Sequence, residues 1–214
     1  MEYPNAKTGI SKIFIGELLT LVSAVISIFT IFLMYRSGGT LGAAAGSVTS
    51  SPMMRTLVIC AGVLTLAAFI LTMIGISNAA KDEANFKNAI SALFVGVIAA
   101  IAQSPLQTSS PLVGGFCGIV GTFCEFLVTF FVISGTLNLA RKVHDRKVQA
   151  LGLFTMKLIL IIYAVILILN VITMVLSMRA ADTASTAAGL IGSAAALVAY
   201  LFYLRLLNRA RMMF

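Results

Sequence analysis

The chain has no tryptophan, one histidine, three cysteines and four prolines, and only 10% of its 214 residues are charged. Each shortage removes a class of protein. A soluble domain carries about 25% charged residues, so the polar coat of a water-exposed globule is missing. Cys60, Cys117 and Cys124 all lie inside apolar runs, with no paired framework and no metal spacing. They read as small packing residues. The lone His144 stands in a basic, solvated loop beside Asp145 and has no spaced partner for metal ligation. HExxH, Gly-x-Ser-x-Gly and paired carboxylates on one helix are absent, so no acid, base, nucleophile, metal or cofactor site is named. Without tryptophan, Tyr3, Tyr35 and Tyr203 are the expected interfacial aromatics.

What is present is apolar sequence, at 60% of the chain. Six runs can be drawn: Ser11–Tyr35, Arg55–Ala79, Asn88–Gln103, Leu112–Leu139, Leu151–Met178 and Ala184–Leu207. A helix needs about 20 apolar residues to cross the hydrocarbon. Five runs meet this, while the third is short and Pro105 is expected to end it. Lipid offers no partners to backbone N–H and C=O groups, so only helices or closed barrels cross. Barrel strands alternate apolar and polar residues, and "LILIIYAVILILNVITMVL" does not. The first run far exceeds the 7–15 residues of a signal-peptide core, so it is expected to stay as a helix despite the Ala43-x-Ala45 pattern that follows.

The formal charge of +8 has a membrane explanation, since Lys and Arg gather on cytoplasmic flanks. The segments Lys81–Lys87 and Arg141–Lys147 and the C-terminal Arg205, Arg209 and Arg211 are basic, and Lys7 and Lys12 precede or open the first run. The intervening loops carry little charge, and "SGGTLGAAAGSVTSS" reads as a flexible linker. Nucleic acid is not an expected partner. Both termini are expected on the cytoplasmic side.

Asn and basic residues are scarce, yet Asn-x-Ala-basic occurs three times, as Asn78–Lys81, Asn138–Arg141 and Asn208–Arg211. Each phrase falls where an even-numbered run ends on the basic side. The repeating unit is therefore a helical hairpin, at about 10–81, 88–141 and 151–211. The fold class expected is all-α: a single polytopic domain of six transmembrane helices in three parallel hairpin repeats. Small residues such as Gly62, Gly114, Gly118, Gly121, Ala188, Gly192 and Ala196 fill the outer halves of the even helices. Phe69, Phe130, Phe131, Tyr200 and Phe202 fill the inner halves. Small residues allow close approach in lipid, so the even helices are expected to converge outside and splay inside. Helix count and repeat order resemble those of mitochondrial carriers. None of Pro4, Pro52, Pro105 or Pro111 opens the Pro-x-acidic-x-x-basic signature of that family, and no family is assigned.

Charge within a bilayer costs several kcal/mol, which singles out a few residues. Glu125 lies near the centre of the fourth run with no cation nearby in sequence. It is expected to be either a proton- or cation-responsive carboxylate facing a cavity or a protonated, hydrogen-bonded structural group. Glu17 and Lys157 lie at matching depths in the first and fifth runs, a candidate ion pair or inner-mouth contact. Asn170 is an interhelical hydrogen-bonding or cavity-lining group. Lys81, Arg141 and Arg211 close the three phrases as helix-end cations, or as contacts for anionic lipid or an anionic solute. The expected function is transport or conduction of a small solute or ion in a cell inner or plasma membrane. The alternatives are a non-catalytic subunit or scaffold that assembles with itself, a membrane partner or anionic lipid, and a lipid-modifying enzyme.

Overall fold

The computed structural model describes residues 3–36, 52–177 and 182–214. The expected linker at 37–51 and most of the loop before the last helix lie outside the described residues. The described residues form six helices: α1 (Pro4–Arg36), α2 (Pro52–Ala79), α3 (Asn85–Ser109), α4 (Pro111–Lys142), α5 (Arg146–Ser177) and α6 (Asp182–Ala210). Five are long and apolar enough to cross a membrane by length and composition, over Pro4–Thr30, Arg55–Ala79, Asn85–Gln103, Leu112–Lys142 and Arg146–Val175. The shortest of these stretches has 19 residues, about 28 Å at 1.5 Å per residue, just enough to span. The α4 stretch has 31, about 46 Å, longer than the hydrocarbon is thick. The chain is thus a multi-pass membrane protein by composition and helix length.

Pro105 does not end α3, as its sequence context suggests. The helix runs on to Ser109 with Pro105 inside it. A proline so near the end removes one backbone N–H, that of its own residue, and the following turn still closes: Ser110 N–H donates to the Leu106 carbonyl at 2.7 Å.

The chain divides into two compact units, Ser11–Gly75 and a second made of Met1–Ile10 with Ile76–Phe214. In the first, α1 and α2 approach closely. A Cβ on Gly16 would meet the Thr72 hydroxyl and lie 2.9 Å from the Ala68 carbonyl oxygen, so only glycine fits there. Further along, Ser23 Oγ lies 2.9 Å from the Ala61 carbonyl and 2.7 Å from Thr65 Oγ1. Such hydroxyl contacts hold helices together where lipid supplies no hydrophobic drive.

In the second, the main unit, α4 packs against both α3 and α5, and α6 packs against α5. Most of its largest fully buried side chains lie towards the basic end, namely Ile10, Ile76, Phe86, Val132, Ile133, Leu139, Val148, Leu206 and Leu207, while Ile159 is buried within α5. Packing at the basic end works by local complementarity. The bulky residues meet small partners, as where the Phe86 ring fills the space a Cβ on Gly135 would need, 2.6 Å from Cε2. The alanines of the three phrases, Ala80, Ala140 and Ala210, are all buried. In the halves expected to converge, a Cβ on Gly118 would stand 2.9 Å from the Gln103 amide and one on Gly192 3.9 Å from Leu169, while Gly62 and Gly121 have nothing within 4 Å.

The α4–α5 turn is built around His144, which adopts φ 60. Asp145 N–H donates to Ala140 O at 3.0 Å and His144 N–H to Arg141 O at 3.2 Å, the double closure of a helix C-terminus that glycine normally serves. Asp145 then caps α5, its Oδ1 accepting from Lys147 N–H at 2.9 Å and Val148 N–H at 3.1 Å. A left-handed conformation strains a side-chain-bearing residue by about 1–2 kcal/mol. His144→Gly is expected to stabilise the protein by about 1 kcal/mol, and Asp145→Ala to destabilise it by about 1 kcal/mol. Thermal unfolding in detergent reads both, and opposite signs would refute this account of the turn.

Candidate functional site

Residues at i, i+4, i+7 and i+11 share a helix face. On α4 that spacing joins Gly114, Gly118, Gly121 and Glu125, and continues through Thr129, Val132, Thr136 and Leu139. Gly114, Val132, Thr136 and Leu139 are buried, so this is an inward face at both ends. Glu125, between them, is exposed. Its neighbours in sequence define the direction it takes. Cys124 turns to α3, 3.1 Å from a Cβ built on Gly96. Phe126 turns to α5, its ring centroid 5.4 Å from that of Tyr163. Glu125 stands on the arc of α4 that separates these two contacts. One turn away, Gly121 leaves open space. A turn beyond that, the Gln103 amide of α3 lies 2.9 Å from where a Gly118 Cβ would stand. The result is a break between the two buried ends of the face, with small residues and an amide on its outer side. Among the described residues no hydrogen-bond or ion-pair partner is found for Glu125.

Asn170 belongs to the α4–α5 contact beside this break. Its Nδ2 donates to Thr122 Oγ1 at 3.2 Å, and that hydroxyl donates to the Gly118 carbonyl at 3.1 Å. The bond fixes the amide and leaves its oxygen available. Glu17 is half-buried on α1 in one unit, and Lys157 is exposed on α5 in the other. Their pairing forms no part of the site built here.

The basic end holds what the sequence reading passed over. In the segment Lys81–Lys87 the cations drew attention, but the acids Asp82 and Glu83 do the joining. Asp82 Oδ2 accepts from Ala6 N–H at 2.7 Å, capping the first turn of α1, and Oδ1 accepts from Asn5 Nδ2 at 3.1 Å. Glu83 receives Lys142 Nζ at 2.7 Å, Asn138 Nδ2 at 3.2 Å and Asn85 Nδ2 at 3.4 Å. Its side chain is only 10% exposed, which sets it apart from loose surface pairs worth about 0–1 kcal/mol. Asn138 thus has a partner specific to the second phrase. Lys81 and Arg141 are exposed and Arg211 half-buried, all at helix ends as cations prefer. A usable signal was present: two adjacent acids in a chain with seven, placed directly after a phrase that recurs without them.

Among the described residues no group of three or more His, Cys, Asp or Glu is placed to hold a metal. Compared with known proteins, the chain matches no family model, no curated protein and no solved structure.

Proposed function

We propose that the protein moves a small cation or protons across a cell inner or plasma membrane, with Glu125 as the group that takes up and releases the ion. One observation carries this reading: a carboxylate at the middle of a helix long and apolar enough to span a membrane, exposed on a face that is buried at both ends. Ionising a carboxyl in lipid is costly, so such groups are retained where a cavity or a counter-ion offsets the cost. The open space beside Gly121 and the oriented Asn170 amide supply room and a further oxygen donor. Lys81, Arg141 and Arg211 serve this reading as inside anchors facing anionic lipid. Proton or monovalent-cation flux into liposomes, wild type against Glu125→Gln, is the test, and a wild type inert under every gradient ends the reading.

The three hairpins, run in parallel with both termini cytoplasmic, are the topology that this function would use. Support comes from the main unit, where Lys7 Nζ lies 3.4 Å from the Phe214 backbone oxygen, so both chain ends meet at one end. Single cysteines at Lys81, Arg141 and Arg209 are expected to react with an impermeant maleimide only from the cytoplasmic side. Labelling of any of them from outside would refute the topology.

The second reading is a non-catalytic membrane subunit. The open Gly62 on α2 is the observation that favours it, because an unfilled small-residue face suits another helix, from a second copy or a partner. Crosslinking in native membranes separates the two: a stoichiometric partner of different sequence supports the subunit. Catalysis on lipid ranks behind both, since among the described residues no set of converging acid, base and nucleophile supports it.

A further inference from the structure

The residues that gather at the basic end of the main unit are more than helix caps. Tyr3 to Lys7 lie across the ends of three other elements. Asn5 and the Ala6 backbone bind Asp82, in the loop after α2. The Tyr3 ring lies 5.8 Å beneath Lys142 Nζ, at the end of α4. Lys7 reaches the Phe214 backbone, beyond α6. Glu83, beside Asp82, ties Lys142 and Asn138 to the same loop. Below this layer Ala6, Ile10, Thr136, Leu139 and Leu207 are fully buried. The inward face of α4 that carries Glu125 is therefore sealed at this end and open at the level of Glu125.

We propose that the N-terminal segment Tyr3–Lys7, held by Asp82 and by the Glu83–Lys142 ion pair, is a latch that keeps the cytoplasmic end of this face closed and must release for the Glu125 site to open inward. The role as a gate rests on the transport reading; the latch itself does not. The bonds are suited to the task. They are few and charge-assisted, and Lys142 is exposed to water on its side of the pair, so a shift in helix position can exchange them for water, whereas the apolar contacts beneath cannot be exchanged cheaply. A latch built from one carboxylate on a helix N-terminus and one on a lysine also switches together, because both acids stand on the same short loop.

The test uses Thr136→Cys as reporter, with Cys60, Cys117 and Cys124 replaced by alanine, in membrane vesicles labelled from the cytoplasmic side. Thr136 is fully buried on the Glu125 face just under the latch. With the latch intact the thiol is expected to react slowly with an impermeant maleimide. Asp82→Asn and Glu83→Gln are expected to speed the reaction about 10-fold or more, the shift that loss of a charge-assisted bond brings to a closed–open equilibrium. The charge-swapped pair Glu83→Lys with Lys142→Glu is expected to slow it again. Unchanged rates in the single variants overturn the latch. So does fast labelling in the charge-swapped protein, since that marks general loosening. Flux measured in parallel keeps the two ideas apart: an inert wild type defeats the transport reading, and the labelling rates still decide the latch.

Discussion

Glu125→Gln is expected to reduce proton or cation flux by about 100-fold or more, the scale on which removal of a positioned proton-transferring group acts. The substitution keeps shape and hydrogen-bonding capacity and deletes only the titratable charge. It also removes the main cost of placing this helix in lipid, about 2–3 kcal/mol for a central charge. The variant is therefore expected to be at least as stable and as abundant as the wild type, so lost flux is not lost protein. Glu125→Asp retains the charge one methylene shorter and is expected to keep partial flux. Flux unchanged in Glu125→Gln would sink the assignment, since no other acid lies near the middle of the described helices of the main unit. A Gly121→Leu substitution probes the same site from the side: it fills the open space next to the carboxyl and is expected to block flux while leaving unfolding unchanged.

The second large effect is structural. Phe86→Ala is expected to destabilise the protein by about 3 kcal/mol or more, because a fully buried ring leaves a cavity that helices in lipid cannot collapse around freely. In a bilayer the transfer part of that cost shrinks, but lost van der Waals contact remains. Gly135→Ala tests the same contact from the other side. Alanine is the better helix former by about 1 kcal/mol, yet its Cβ would stand 2.6 Å from Phe86 Cε2. Overpacking of this kind costs about 1–3 kcal/mol, so a net loss is expected. Gly62→Ala, with nothing within 4 Å, is expected to gain stability instead. Denaturant unfolding in detergent measures all three. The double variant Phe86→Ala with Gly135→Ala is expected to lose less than the sum of its parts, since the added methyl enters the cavity. Strict additivity would show that the two residues do not share a contact.

These contacts show where a one-dimensional reading reaches its limit. The helices were legible because each is specified by a run of its own residues, and their failure to alternate already excluded strands. Pro105 misled because proline reports a missing N–H, while whether a helix survives that loss depends on the turn after it. The contact between Phe86 and Gly135 was not legible at all: bulky inner residues imply splayed helices only if the facing positions are also bulky, and sequence does not say which positions face one another. His144 was read as plain surface. It is exposed, but its positive φ and the bonds of Asp145 around it were invisible without the backbone. Glu125 was found from its depth alone, because an acid in an apolar run is conspicuous whatever surrounds it.

By itself the sequence determined that the chain is helical and membrane-embedded, and which few polar groups the bilayer must accommodate. Hydropathy and backbone hydrogen-bonding needs are properties of each segment alone. Only the tertiary structure decided that Phe86 packs on Gly135, that Asp82 and Glu83 bind the chain's first residues to the ends of its later helices, and that Glu125 is exposed on α4 between buried stretches. Those outcomes depend on which side chains meet across helices far apart in sequence, and contact of that kind is set by shape and distance, which composition and spacing do not encode.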